Sequence, residues 1–172
     1  MIWLSTLSHL LARAERWASR VLVVAFVALI VANVGMRYVI GQPIFFAEEI
    51  AAILLVWLAF VATSITIHDR AQIGVTLLTE HLPVGIRRIV DLIVLALVAA
   101  ILATLLWTSA TWVVSPAVAF EQIITLGWAK SPFYWIVPVF SAFALIHVLA
   151  DLAEAVTGHQ PIELATDKGM EI

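Results

Sequence analysis

Two things are scarce in this sequence: cysteine and charge. None of the 172 residues is cysteine, which excludes disulfides, thiolate metal sites and cysteine nucleophiles. Charged residues make up only 12% of the chain, and a net charge of −3 provides no basic surface for nucleic acid. A soluble domain of this size cannot bury a composition that is 63% hydrophobic. Part of the surroundings of this chain must therefore be lipid.

Four apolar runs are long enough to cross the hydrocarbon core of a bilayer, which takes about 20 helical residues. They predict spans over about 17–39, 45–67, 89–113 and 133–153. The first two are separated by only a short Gly-Gln-Pro turn, so we expect an antiparallel pair of helices there. The sequence predicts an all-α membrane protein with four transmembrane helices in a single domain.

The two ends of the chain differ from the spans. Residues 1–16 are amphipathic, with apolar positions at helical spacing, and they predict a separate helix lying in the membrane interface. Residues 154–172 are polar and acidic and predict a flexible tail.

Basic residues are distributed unevenly over the connections between the predicted spans. Seven of the nine Lys and Arg residues fall on one side: Arg13, Arg16, Arg20, Arg70, Arg87, Arg88 and Lys168. The positive-inside rule places that side, and with it both termini, in the cytoplasm. The opposite side then faces the periplasm of a Gram-negative cell, and the chain is expected in the inner membrane.

Arg37, Glu48 and Glu49 are predicted to lie near the outer surface, on either side of the short first turn. An arginine near hydrocarbon is costly unless it meets a carboxylate, so an Arg37–glutamate clasp is one interpretation. Docking of an external partner or a companion subunit by the second acid is another. Catalysis is disfavoured, because no nucleophile, metal-ligand set or substrate cradle accompanies the acids. We predict no catalytic, metal-binding or cofactor-binding residues.

Two histidines have an alternative interpretation. His68 ends the second span and His147 lies in the inner half of the fourth, so the two are expected on the same side of the membrane. Two such histidines can ligate a haem, which makes a haem-bearing redox anchor the alternative from another class of protein. The simpler interpretation is that His147 hydrogen-bonds a neighbouring helix.

The remaining features of the spans suggest packing. Asn33 is expected to hydrogen-bond across a helix interface, and Trp57 to pack in the bundle or against a partner helix. In the second span one face carries small or polar residues and is expected to contact protein, whereas the large aliphatic face is expected to contact lipid or a large apolar partner. The small or polar face comprises Glu49, Ala52, Val56, Ala59, Thr63 and Thr66. Further small-residue stripes occur in the first span (Ala25, Ala28, Ala32, Gly35) and the third (Ala96, Ala100, Ala103, Ala110).

Machinery for transport is missing from the sequence. It shows no internal repeat, no broken helices with paired Gly or Pro and no charge near the centre of a span. A carrier that works alone is therefore disfavoured, and an accessory subunit is favoured.

Several motifs in order resemble a known family. The first span closes with Asn33-x-x-x-Arg37-Tyr38, the second opens with Glu48-Glu49 and contains Trp57, and Leu126-Gly127-Trp128 precedes Pro132. Over roughly residues 21–150 the chain resembles the small, DctQ-like membrane subunit of tripartite ATP-independent periplasmic (TRAP) transporters. The segment after the second span departs from the family pattern of a basic residue and His-Ile-x-Val-Asp. Here the corresponding residues are His68 and Gln72-Ile73-Gly74-Val75-Thr76.

The resemblance implies a role in a three-part secondary transporter. A periplasmic binding protein would capture an organic acid, such as a C4-dicarboxylate or a sialic acid, and a large membrane subunit would carry it with sodium ions. The small subunit would brace the large one and help to dock the binding protein. The residues expected to serve assembly are Asn33, Arg37, Glu48, Glu49, Trp57, His68 and Arg70.

Overall fold

The structure is a computed structural model that describes residues 2–69 and 84–157. Its helices are α1 (Ile2–Val39), α2 (Ala47–His68), α3 (Val84–Val113), α4 (Pro116–Ala119), α5 (Ser131–Tyr134) and α6 (Ile136–Thr157). No strand occurs in this part of the chain, and one isolated antiparallel bridge joins Gln122 to Ala129. Four stretches are long and apolar enough to cross a membrane: Trp3–Val39, Ala47–His68, Ile89–Val113 and Ser131–Val156. The all-α prediction with four candidate spans is confirmed.

The first helix is longer than the sequence predicted. A separate interfacial helix over residues 1–16 was expected, but α1 runs without a break from Ile2 to Val39. Neither Gly nor Pro lies near residue 16 to interrupt it. At about 1.5 Å per residue the 38-residue helix is about 57 Å long, nearly twice the ~30 Å hydrocarbon core. How its first half is oriented to a bilayer stays a prediction.

The last long helix, α6, occupies the centre of the bundle. It packs most extensively against α3 and also contacts α2 and α1, while α1 and α2 form the antiparallel pair expected from their short connection. Its residues Phe140, Ala144 and Val148 form the buried core with Leu102 of α3, and Phe60 of α2 packs against this cluster. The small side chains of Ser141 and Ala144, both fully buried, let the neighbouring helices approach closely.

The fourth span is made of two helices. The four-residue α5 ends at Tyr134, and α6 starts after Trp135. Pro138 has no N–H to donate to the carbonyl of Tyr134, one turn before it, which is consistent with the interruption at this position. At its other end, α6 continues beyond residue 153 into the segment that was predicted as tail. Residues 158–172 of the predicted tail lie outside the described part of the chain.

The assignment of the two faces of α2 was wrong for packing within this chain. The aliphatic face, with Leu54, Leu58 and Val61, is the partly buried side, whereas Ala52 and Thr63 are exposed. Large side chains that fill the space between helices make more van der Waals contacts, and such contacts drive helix packing in lipid. The small-residue face of α2 therefore points away from the bundle.

The small-residue stripes of the other spans are also turned outwards. Ala25, Ala28, Ala32 and Gly35 of α1 are all exposed, and a Cβ added at Gly35 would meet no atom within 4 Å. On α3, Ala96, Ala100 and Ala103 are exposed, and only Ala110 is partly buried. Close-packing surfaces are thus present on three long helices without a counterpart in residues 2–69 and 84–157.

Candidate functional site

One end of the bundle holds an irregular segment, residues 120–130, which we call the hairpin. Its two sides are joined by backbone hydrogen bonds from Ile123 N to Trp128 O (2.7 Å) and from Lys130 N to Glu121 O (2.9 Å). The chain reverses at Gly127, whose φ of 68° favours glycine. Ile123 is fully buried and fastens the hairpin to the bundle. We call this the hairpin end; α1 and α3 finish here, and α2 and α6 begin.

Glu49 binds the turn of the hairpin. Its Oε1 accepts a hydrogen bond from the Ile124 N–H (3.0 Å), and its Oε2 accepts from the N–H (3.1 Å) and hydroxyl (2.8 Å) of Thr125. Because Glu49 lies in the first turn of α2, its carboxylate also faces the positive end of the helix dipole. The first turn of α2 therefore holds a segment about 75 residues away in sequence.

Glu48 and Arg37 have a different environment from Glu49. Both side chains are exposed, and neither forms an ion pair or hydrogen bond with any other residue in the described ranges 2–69 and 84–157. The expected Arg37–glutamate clasp is therefore not the arrangement seen, because the carboxylate of Glu49 is occupied by the hairpin. The adjacent acids have separate surroundings: Glu49 binds within the chain and Glu48 faces outwards.

Asn33 and Trp57 make internal contacts. The Asn33 side-chain oxygen accepts from the N–H of Ile44 (2.8 Å), which fastens α1 to the connection before α2. The indole N–H of Trp57 donates to the carbonyl of Phe133 in α5 (2.9 Å), and the two rings are 6.3 Å apart. The Asn33 side-chain oxygen and the Trp57 indole N–H are thus bound within the chain, which favours a packing role for both residues.

Three histidines of the described residues lie at the opposite end of the bundle, which is called the histidine end below. His147 of α6 is 1% exposed and binds α1 through both ring nitrogens. Its Nδ1 is 2.7 Å from the hydroxyl of Ser8, and its Nε2 is 3.1 Å from a carboxylate oxygen of Glu15. Glu15 is itself only 5% exposed. A buried polar group is tolerated when it is hydrogen-bonded, and this network meets that condition.

His68 connects the buried network to the surface. Its ring contacts that of His147 at 4.9 Å and that of His9 at 5.2 Å, and its Nε2 is 3.3 Å from Nδ1 of His9. Its Nδ1 is 3.0 Å from the carboxylate of Asp69, which pairs with Arg16 at 2.9 Å. A cavity of about 170 Å³ adjoins the cluster and is lined by Ser5, Ser8, His9, His68, Ala150, Asp151 and Glu154.

The alternative interpretation of His68 and His147 as haem ligands does not fit this geometry. Their rings meet edge to face with centroids 4.9 Å apart, which leaves no room for a porphyrin between them. Each ring nitrogen of the pair already has a hydrogen-bonding partner in the chain. The simpler interpretation, that His147 hydrogen-bonds a neighbouring helix, describes the arrangement.

The partners of His147 in α1 were not predicted from the sequence. Ser8, Ala12 and Glu15 are buried and recur at intervals of four and three, which is the spacing of one helix face. That pattern was available in the sequence as a sign that this segment packs against protein. Arg70 and the segment Gln72–Thr76, by contrast, lie outside the described residues.

The chain is similar to known transport proteins. The family model for tripartite ATP-independent periplasmic transporters, DctQ component, matches residues 26–158. The match extends from within α1 to the end of α6 and therefore leaves out Ser8 and Glu15. The chain is also similar to the sialic acid TRAP transporter permease protein SiaT of Haemophilus influenzae (strain 86-028NP), at 26% identity over 86 residues. That alignment covers 50% of this chain but only 14% of SiaT.

Proposed function

Because this chain belongs to the DctQ component family of tripartite ATP-independent periplasmic transporters, we propose that it is the small membrane subunit of such a transporter. The resemblance noted in the sequence is confirmed by the family match, and the chain is a multi-pass membrane protein. Its proposed task is not catalytic. It braces a large, sodium-coupled carrier subunit during uptake of an organic acid.

The observation that best supports a bracing role is the outward direction of the small-residue faces. Ala and Gly stripes let the backbones of two membrane helices come close, and packing of this kind drives helix association in lipid. On α1, α2 and α3 these stripes are exposed in the isolated chain. A larger membrane subunit with complementary helices is the natural counterpart for them.

The distribution of basic residues supports the proposed orientation. With both termini in the cytoplasm, the hairpin end faces the periplasm of an inner membrane. Exposed Glu48 and Arg37 then lie where a periplasmic binding protein arrives. We propose that Glu48 contributes to docking that protein, whereas Glu49 holds the hairpin.

The solute is proposed as an organic acid of the C4-dicarboxylate or sialic acid class. The name of the similar Haemophilus protein mentions sialic acid, which is the only solute that the comparison suggests. A specificity pocket is expected in the other subunits, because the sequence of this chain shows no transport machinery of its own.

Co-expression with the carrier subunit tests the proposed function. The chain is expected to co-purify with a multi-span membrane protein, and solute uptake in cells or proteoliposomes is expected to require both. Uptake that is undiminished when this chain is deleted would contradict the proposal.

Charge reversal separates docking from assembly. Glu48→Lys is expected to leave recovery of the membrane complex unchanged while it lowers uptake at limiting concentrations of binding protein. The matched variant Glu49→Lys is expected to affect the chain itself, because it removes the acceptor of three hydrogen bonds. If Glu48→Lys left the dependence of uptake on binding protein unaltered, Glu48 would have no part in docking.

A further inference from the structure

We propose that the hairpin, residues 120–130, is a membrane anchor. It inserts apolar side chains into the boundary between headgroups and acyl chains of the leaflet at the hairpin end. Neither the family match nor the proposed bracing role assigns a task to this segment. The partner is a lipid surface, and Glu49 acts as the positioning residue that holds the anchor in place.

The first observation is a group of large apolar side chains turned away from the protein. Phe120, Ile124 and Trp128 are 85%, 89% and 59% exposed. They come from one short segment that is fastened to the bundle through fully buried Ile123. Apolar groups presented together on a fixed loop indicate a surface that is covered in use.

The second observation is that several backbone N–H groups of the hairpin are satisfied by the protein itself. Irregular backbone near hydrocarbon is tolerated only when its N–H and C=O groups have partners other than water. Within the hairpin, the N–H groups of Ile123, Gly127 and Lys130 donate to carbonyls of the same segment. The carboxylate of Glu49 accepts the N–H groups of Ile124 and Thr125. Partners of this kind suit a loop that leaves water.

The third observation is the charge pattern. Residues 122–129 contain no charged side chain. The two charges that flank them, Glu121 and Lys130, sit opposite each other where the hairpin joins the bundle. Glu121 accepts a hydrogen bond of 2.6 Å from the hydroxyl of Tyr134, which keeps its carboxylate beside the protein. The hairpin is thus an uncharged tip on a polar base.

A belt of exposed aromatic side chains at the same end identifies lipid as the occupant. Tryptophan and tyrosine favour the membrane–water interface, because their rings combine an apolar body with a polar group. At the hairpin end the exposed aromatic residues outside the hairpin are Tyr38, Phe45, Trp107, Trp112 and Trp135. They come from the end of α1, the start of α2, the end of α3 and the start of α6. The hairpin continues this belt.

The absence of cysteine permits a direct test. A single cysteine at position 124 (Ile124→Cys) carries a nitroxide label, and the full chain is reconstituted in phosphatidylcholine–phosphatidylglycerol vesicles. Gln42→Cys is the matched control, because Gln42 is an exposed polar residue in the turn at the same end of the bundle. Collision rates with oxygen, which concentrates in lipid, and with a water-soluble nickel chelate are measured by electron paramagnetic resonance.

The expected result is a ratio of oxygen to nickel collisions several-fold higher at position 124 than at position 42. A ratio at 124 equal to or below that at 42 overturns the proposal, because the label is then in water. A label at 124 that is immobilised and shielded from both reagents also overturns it, since protein then covers the hairpin. No carrier subunit is needed for this measurement, so its failure leaves the proposed function standing.

A second pair of variants tests the role of Glu49. In the Ile124→Cys background, Glu49→Ala is expected to increase the mobility of the label and lower the collision ratio. Glu48→Ala is expected to change neither. Unchanged spectra with Glu49→Ala would show that the hairpin keeps its place without this residue.

Discussion

The two ends of the bundle are both polar but are held together in different ways. At the hairpin end, the carboxylate of Glu49 binds backbone N–H groups of an irregular segment, and the bonds are exposed. At the histidine end, Ser8 and Glu15 each bind His147 through side chains that are almost completely buried. Exposed bonds can be exchanged for water when they break, whereas buried groups that lose a partner remain unsatisfied.

The two ends therefore have different roles: the hairpin end exposes groups to other molecules, and the histidine end holds helices of this chain together. The hairpin end directs apolar and charged groups outwards, including Ile124 and Glu48, which suits contact with lipid and partners. The histidine end fastens the first half of α1 to α6. Apolar contacts alone would fix the relative position of the two helices less specifically. Hydrogen bonds between membrane helices supply such specificity, although their net contribution to the free energy of association is modest. The comparison predicts that equivalent substitutions cost more stability at the histidine end.

The largest effect is expected from Glu15→Ala. The change leaves Nε2 of buried His147 without its hydrogen-bonding partner, and the free energy of unfolding should fall by about 3 kcal/mol. Denaturant titration in detergent micelles measures it. Glu15→Gln, which keeps an acceptor oxygen, should recover more than half of the loss, and Arg13→Ala on the exposed side of α1 should have no effect. Equal stability of Glu15→Ala and Arg13→Ala would show that the network does not fasten α1.

The next effect concerns the hairpin end. Glu49→Ala removes the acceptor of three hydrogen bonds. The freed groups of Ile124 and Thr125 lie at the surface of the protein and not inside the bundle, so the hairpin can shift until they meet water or lipid headgroups. We expect faster proteolysis within residues 120–130 and a smaller loss of global stability than with Glu15→Ala. Glu48→Ala serves as the control and should behave like the unaltered chain. If the two glutamate variants were cleaved at the same rate, the structural distinction between these adjacent acids would be wrong.

A smaller effect is expected from Trp57→Phe. The ring contact with Phe133 is largely retained while the hydrogen bond to the Phe133 carbonyl is lost, which should cost about 1 kcal/mol. Trp107→Phe, at a side chain that is 75% exposed, provides a matched control with no expected change in unfolding. Identical unfolding curves for the two variants would place Trp57 outside the packing of α5 against α2.

Much of the helical outline was predictable because a membrane span must satisfy its own backbone and be apolar over about 20 residues. Those requirements concern composition and length, and both are visible in a single sequence. The same reasoning drew attention to Glu48, Glu49, His68 and His147. It did not identify the partners of those residues, since contacts between distant segments depend on how the helices pack.

The partners of Glu49 illustrate the difficulty. They include the backbone N–H groups of Ile124 and Thr125, and a backbone N–H is carried by nearly every residue, so no residue type marks it. The contact of Glu15 with His147 spans 132 positions. A signal existed in this case, because Ser8, Ala12 and Glu15 share a helix face. Only the packing of α1 against α6 shows which histidine that face meets.

The smallest effect is expected at the surface of the histidine end. Arg16 pairs with Asp69 at 2.9 Å, but both side chains are more than 40% exposed, and exposed ion pairs are screened by salt and contribute little. Arg16→Ala should lower the free energy of unfolding by about 0.5 kcal/mol at low salt, and the difference should vanish at high ionic strength. The loss with Glu15→Ala should persist at high salt, because that network is buried. The opposite outcome is that Arg16→Ala lowers the free energy of unfolding as much as Glu15→Ala does, at any salt concentration. This surface pair would then hold the bundle together as strongly as the buried network.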